Sequence, residues 1–374
     1  MLNTLVLLAA LTAADSETLS RIKPRMQAYV DRGGLSGTVT MVIEKGQTVH
    51  FETAGMADIE HKKPMRKDSI FQIMSMTKPL TGTSVMMMVE EGKLNLNDPV
   101  AKYLPEFKDK PLILIRHLMS HTSGMATNPP PANMEWYYSM KVSLADAVKL
   151  YATVPLLQDP GTKWVYSNMG LATLGRLVEV ASGMKYEDFI AKRLLHPLGM
   201  KDSFFFPPAD KKDRIVVNYC TKDGSISPCP HTTLGGDSRD LRAGAIYPAP
   251  EFGLYSTAED LSRFYLMMLN GGTSGGKRYV SKASVEAMTM VQTGDLKAGH
   301  NPGTAFGLTW EVAKDPVSAS MLWSIGSFGH GGAFGTHGWI DPAKKLVGVF
   351  MVQGGSAAGD AKANFIAMAS ASAN

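Results

Sequence analysis

The sequence predicts an α+β fold in which an antiparallel sheet, assembled from both ends of the chain, is flanked by helices and a mainly helical region is inserted between the two ends. Three observations carry this. Runs of β-branched and apolar residues bounded by turn residues lie near the start, the same pattern returns near the end, and the residues between them carry helical periodicity with capping signals.

Val39 to Glu44 and Thr48 to Thr53, joined around Lys45-Gly46-Gln47, read as a hairpin. Helices are expected over Leu80 to Glu91, Ile113 to Met119, Ser143 to Tyr151, Gly170 to Ala181, Tyr186 to Leu195, Thr257 to Leu269 and Ser281 to Met290; Thr257 serves as an N-cap ahead of Glu259 and Asp260. Phe306 to Val312, Thr336 to Ile340 and Leu346 to Val352 read as strands, with Asp341-Pro342-Ala343-Lys344 turning between the last two. Ala358 to Ala371 is expected as a terminal helix lying on the sheet, while Pro129-Pro130-Pro131 and Phe205-Phe206-Pro207-Pro208 mark loops. The expected organisation is one unit from residue 15 to 374, with an α/β part from about 20–70 and 295–374, a helical part over about 71–294, and a cleft between them.

A chain of 374 residues, 44% hydrophobic and 19% charged, has material for a large core and is too polar for a multispan membrane protein. The formal charge of +4 is small, and no Lys/Arg block interleaved with aromatics points to nucleic acid. Residues 1–14 resemble a secretory signal: Leu5 to Leu11 is apolar and Thr12-Ala13-Ala14 supplies small residues, although no Lys or Arg precedes the run. This stretch is too short to span a bilayer, so a secreted or periplasmic protein is expected, with the cytoplasm as the alternative. Cys220 and Cys229 are the only cysteines, too few for a disulfide framework or a four-cysteine zinc site. A hairpin turning at Asp223-Gly224 sets Cys220 opposite Ser227, which leaves open whether the two cysteines pair.

Chemistry is suggested first by Ser75-Met76-Thr77-Lys78. Residues i and i+3 share a helical face, and Pro79 is tolerated only near a helix start, so a hydroxyl, an amine and the positive end of a helix dipole come together. A lysine desolvated among apolar side chains loses its charge and can activate a serine. Ser-x-x-Lys also occurs at Ser20, Ser182 and Ser274, so the tetrapeptide alone is weak; the methionines around it, Met74, Met76, Met86, Met87 and Met88, read as core filling. Tyr166-Ser167-Asn168 stands in a loop before a helix, where the phenol could shuttle a proton and Asn168 bond both Lys78 and a substrate carbonyl; a tyrosine packed at a helix entrance is the plainer reading. Gly329-His330-Gly331-Gly332-Ala333-Phe334-Gly335 precedes a strand, and its glycines let backbone approach a ligand, or simply make a flexible loop.

In this order the three segments resemble the serine β-lactamase and penicillin-binding protein superfamily, closest to class C β-lactamases and family VIII carboxylesterases. Leu118-Met119-Ser120-His121-Thr122-Ser123-Gly124 and Gly253-Leu254-Tyr255-Ser256-Thr257-Ala258-Glu259-Asp260-Leu261 also look like the family's segments, so the resemblance spans about residues 20 to 355. It implies a β-lactamase-like fold, Ser75 as nucleophile, Lys78 and Tyr166 as proton handlers, the N–H groups of Ser75 and Ala333 as an oxyanion hole, and Asn168, His330, Gly331 and Gly332 against substrate. Lysine and tyrosine titrate as a pair, so the base between them stays open. Where most β-lactamases carry Lys-Thr-Gly, this chain has His330-Gly331-Gly332, which removes a cation and a hydroxyl that would hold a substrate carboxylate and shifts the expectation towards esters.

Rival motifs lack context. Gly272 to Gly276 fits a nucleophile elbow and Gly271 to Lys277 nearly fits a phosphate loop, but a helix precedes both where a strand is required. His117 and His121 have zinc-pair spacing without the glutamate or a third ligand. The expectation is therefore a monomeric serine hydrolase of a small-molecule ester or amide, without cofactor or metal. A β-lactamase or D-amino-acid peptidase is the nearest rival, and an inactive relative that binds peptidoglycan or a protein is the rival from another class.

Overall fold

Eight strands, all joined by antiparallel pairings, form the main sheet in the spatial order Thr304–Phe306, Glu311–Ala313, Phe328–Gly331, His337–Asp341, Leu346–Val352, Gly37–Glu44, Gln47–Asp58, Lys63–Pro64. The computed structural model describes residues 15–230, 242–315 and 322–373; the signal-like segment 1–14 lies outside them. The first and last thirds of the chain meet at the centre of the sheet, where Thr38 pairs with Val352 and Glu44 with Leu346. The hairpin at Lys45-Gly46 turns with both residues at positive φ (50° and 80°), the backbone that matches the twist of its strands.

Both faces of the central strands are buried, and alternation decides which core each side chain enters. Val39, Met41, Ile43, Val347, Val349 and Met351 face the large core shared with the helical region. Val42, Leu346, Phe350 and Val352 face a second core under the terminal helices Ser16–Ser20, Ile22–Asp31 and Ala358–Ser372. The expected terminal helix is thus present, while the two short N-terminal helices were not read from the sequence. The central helices follow expectation within a few residues: Lys78–Glu90, Ile115–Met119, Leu144–Thr153, Asn168–Ser182, Ala258–Leu269 and Lys282–Thr289. The Tyr186 helix continues past Leu195 to Leu198 through a π turn at Ala191–Leu195.

Two local readings change. Phe306 to Val312 is not one strand: Thr309 takes φ 68°, the Gly307 N–H bonds the Trp310 carbonyl at 2.8 Å, and the chain doubles back so that Thr304–Phe306 pairs with Glu311–Ala313. The cysteines pair. The hairpin Tyr219–Lys222/Ser225–Pro228 has the expected register, Cys220 opposite Ser227, and Cys229 just past it closes a disulfide with Cys220.

Candidate active site

From Ser69 to Met88 every residue is buried except Ser75. Such a segment is buried on every side, which is why its methionines read as core; the single break in burial is at the Ser75 hydroxyl. The helix expected to start near Ser75 is entered by a 3-10 turn, Met74–Thr77, and becomes α-helical at Lys78 with Pro79 in its first turn. Met74 holds φ 51°, a costly conformation for a residue with a side chain, and it is kept by the Met76 N–H on Ile73 O (3.2 Å) and the Thr77 hydroxyl on Met74 O (2.7 Å).

Lys78 is completely buried, and its Nζ lies 3.0 Å from Ser75 Oγ, 2.9 Å from Asn168 Oδ1 and 2.7 Å from the Glu251 carbonyl oxygen. Two of these partners can only accept. An uncharged amine keeps two N–H groups, which the amide and carbonyl oxygens take, so its lone pair is left facing Ser75 Oγ. Burial lowers the lysine to about 7, with the negative charge of Glu251 pulling the other way. The lysines of the other three Ser-x-x-Lys tetrapeptides, Lys23, Lys185 and Lys277, are all exposed.

Tyr166 reaches the same hydroxyl. Its phenol hydrogen-bonds Ser75 and its ring centroid is 4.7 Å from Lys78 Nζ. Burial pushes the phenol up, against the opposing effect of the Ser75 bond, so it stays protonated at neutral pH. The ring packs on His121 (4.4 Å between centroids), His300 (4.9 Å) and His330 (6.1 Å). Position comes from the next helix: Ser167 caps it by accepting the Gly170 N–H, and the Ser167 N–H in turn donates to His121 Nδ1 at 3.0 Å. Asn168 is the first helical residue; besides meeting Lys78, its Nδ2 donates to Asn128 Oδ1 at 2.7 Å.

The glycine-rich segment closes the cleft from the sheet side. Phe328–Gly331 is a strand inside the sheet, but its outer neighbour pairs only with Phe328 and Gly329, so His330 and Gly331 present a local edge. The turn after it carries Ala333 and is fixed to the nucleophile turn: Gly332 N donates to Thr336 O (2.8 Å), and Thr336 Oγ1 to Ile73 O (3.3 Å). A Cβ on Gly332 would come within 2.4 Å of Ile73 O, so only glycine allows this approach. His330 is neutral: Nδ1 donates to Gly331 O at 2.8 Å, Nε2 is buried without a partner among the described residues, and burial with Lys78 nearby lowers the imidazole to about 3.

The structure therefore gathers Ser75, Lys78, Tyr166 and Asn168 through direct contacts, sets His330 against the Tyr166 ring, and fixes the turn of Gly331, Gly332 and Ala333 beside Ile73, two residues before Ser75. Sequence reasoning missed His121 and Asn128 as supports for Tyr166 and Asn168, and Glu251 behind Lys78; His121 stood out only within a family-like string and as half of a zinc-spaced pair, and the segment after Glu251 only as a family-like string. The zinc-spaced pair is otherwise engaged, His117 Nδ1 accepting from Leu114 N (3.3 Å) and His121 Nδ1 from Ser167 N. Among the described residues no group of three or more His, Cys, Asp or Glu side chains is arranged for a metal ion. The phosphate-loop look-alike is a small hairpin, Thr273–Ser274 with Lys277–Arg278.

An antiparallel sheet flanked by helices, with a serine and a buried lysine hydrogen-bonded at its cleft, defines a serine hydrolase of the β-lactamase and penicillin-binding protein class. The chain belongs to the beta-lactamase family, whose sequence profile matches residues 22–373. It is 30% identical over 340 residues to "Esterase EstB" of Burkholderia gladioli, an alignment covering 83% of this chain and 84% of the esterase. Among solved structures it is similar to "EstCE1, a hydrolase with promiscuous acyltransferase activity" (TM-score 0.81, 22% identity, 94% of this chain and 99% of that one). It is also similar to a class C beta-lactamase (TM-score 0.74, 20% identity, 95% and 98% covered). At these identities the two structures bear on the fold alone.

Proposed function

We propose that the chain is a carboxylesterase acting through an acyl-enzyme on Ser75, with small to medium acyl esters as substrates. The observation that carries the reading is the buried Lys78 amine at 3.0 Å from Ser75 Oγ, with its other hydrogens committed to acceptors. In acylation Ser75 Oγ attacks the ester carbonyl while its proton passes to neutral Lys78. Charge on the carbonyl oxygen is met by the N–H groups of Ser75 and Ala333. The proton then reaches the leaving alkoxide through the Tyr166 phenol, whose high pKa suits it to relay a proton and not to act as a standing phenolate base. Water completes the cycle on the acyl-enzyme, and Asn168 orients Lys78 and the substrate carbonyl.

The preference for esters rests on His330. A neutral imidazole stands where a permanent cation would bind the carboxylate of a β-lactam or D-peptide, so that substrate group finds no counter-charge there. Similarity to an esterase at 30% identity supports the same choice. Secretion or a periplasmic location is part of the proposal, supported by the Cys220–Cys229 disulfide, since such bonds persist in oxidising compartments. The active form is proposed to be a monomer, checkable by light scattering. No helix among the described residues is long and apolar enough to cross a membrane.

Side-by-side hydrolysis of a short p-nitrophenyl ester and a chromogenic cephalosporin tests the substrate class. Ester turnover is expected to dominate and to vanish in Ser75→Ala; efficient cephalosporin turnover with a poor ester rate reverses the assignment. Intact-mass detection of an acyl adduct on Ser75 separates a hydrolase from a silent binding relative.

A further inference from the structure

The carboxyl of Glu251 takes no part in the chemistry above, yet it is completely buried behind Lys78. Oε1 accepts from the phenols of Tyr137 (3.0 Å) and Tyr247 (2.8 Å), and Tyr247 Oη lies 3.3 Å from Tyr151 Oη. Oε2 has no partner among the described residues. A carboxyl taken out of water is costly to bury, and the Lys78 amine is the nearby cation that offsets the cost when both are charged. Its backbone is equally constrained: the Phe252 and Gly253 N–H groups both donate to Ala249 O (3.0 and 2.6 Å), and Pro250 O accepts from Thr81 Oγ1 (2.6 Å). The same residue thus offers its carbonyl to Lys78 Nζ and its carboxyl to two tyrosines.

We propose that Glu251 is a positioning residue whose phenol-anchored carboxyl holds the carbonyl acceptor of Lys78 in place and supplies the buried negative charge to which the protonation of Lys78 is coupled. This rests on Lys78 being the base, as proposed above. Burial raises Glu251 to about 7, its own backbone N–H, the phenol bonds and Lys78 opposing, so its charge changes over the range in which Lys78 changes its own. The groups facing Glu251 are the phenols of Tyr137, Tyr151 and Tyr247 and the Lys78 amine, with Arg242 and the phenols of Tyr166 and Tyr186 interacting at longer range. From the cleft side the imidazoles of His121, His300 and His330 face Lys78. An ionised Glu251 favours charged Lys78 and so delays formation of the free amine as pH rises.

The test is the pH profile of kcat/KM for a short p-nitrophenyl ester, with the pH dependence of fluorophosphonate labelling of Ser75 as a second readout, on the full chain. In Glu251→Gln, near-isosteric and uncharged, the acid limb is expected to move to lower pH by about one unit, the size that a nearby buried opposite charge gives. Tyr247→Phe, which withdraws one donor from the carboxylate, is expected to move it the same way by less. A limb that stays in place in folded Glu251→Gln, even with a lower rate, overturns the proposal and leaves a packing role; if that variant does not fold, an unmoved limb in Tyr247→Phe does the same. Lys78→Ala separates the two readings: wild-type activity in it removes the base assignment itself, whereas an inactive Lys78→Ala with an unmoved limb removes only the role of Glu251.

Discussion

At the scale of single residues, Lys78 decides the chemistry, because its state depends on what surrounds it. With the amine lowered to about 7, the fraction of free base grows as pH rises through neutrality, so kcat/KM should climb between about pH 6 and 8 and level off above. Lys78→Ala is expected to lose at least about a thousandfold in kcat/KM without loss of fold, as removal of a general base with an obligate proton role does. A flat rate over that pH range, or a Lys78→Ala enzyme within tenfold of wild type, contradicts it. The sequence named Ser75, Lys78, Tyr166 and Asn168 because their residue types and spacing carry meaning on their own. Nothing in it singled out Glu251, since a glutamate between Pro250 and Phe252 in a loop is ordinary until the fold buries it among tyrosines.

At the scale of elements, the site depends on how closely the turn after Phe328–Gly331 sits on the 3-10 turn of Ser75. Gly332→Ala places a methyl 2.4 Å from Ile73 O and 2.2 Å from Thr336 Oγ1, so the turn bearing Ala333 must shift. Displacement of oxyanion donors by roughly an ångström costs about a hundredfold in kcat/KM. The expected signature is a fall in kcat larger than the accompanying strain, which lowers Tm by only a few degrees (about 2–4 °C); unchanged kcat would show that the Ala333 N–H is not used. Strands and helices with strong periodicity were legible, and Thr257, Ser143 and Ser281 cap helices where a capping residue precedes an apolar run. The stretch Phe306 to Val312 misled because its apolar content suits a continuous strand, and the hairpin within it is set by a left-handed Thr309 whose side chain packs in the space left by Gly82 of the nucleophile helix. That contact joins residues far apart in sequence.

At the scale of the whole molecule, two buried systems set stability. The Cys220–Cys229 disulfide closes a short loop with a sequence separation of 9, worth about 2–3 kcal/mol by loop entropy, so the double serine variant should melt a few degrees lower (about 2–6 °C) with kcat intact. Loss of activity at unchanged Tm would be the contrary result. Buried imidazoles govern the acid side: His50 is lowered to about 4 and His330 to about 3, and His121 and His337 are also well below the ordinary value, each chiefly by burial. A group whose folded pKa is depressed contributes stability that is present above the unfolded value, here about 6.5, and is lost as pH falls towards the folded value. Glu251, raised to about 7, acts oppositely between 4.5 and 7, as do the burial-raised carboxyls of Glu187 and Asp260, but the four imidazoles, joined by the lowered His117 and His300, outnumber these three carboxyls. Melting followed by circular dichroism should therefore drop clearly from pH 7 to 4.5, and a Tm that is flat or higher at pH 4.5 would refute this.

What the sequence determined by itself is local: hairpins and helices whose periodicity and caps act within a dozen residues, and a serine, lysine, tyrosine and glycine run whose types foretell their chemistry. Tertiary structure alone decided that Lys78 loses its solvent while Lys23, Lys185 and Lys277 keep theirs, that His330 is neutral, that Glu251 lies behind the amine, and that the two cysteines meet. The reason is that desolvation and Coulomb interaction depend on distance in space and on the exclusion of water, and both are set by packing between segments that the order of residues leaves far apart.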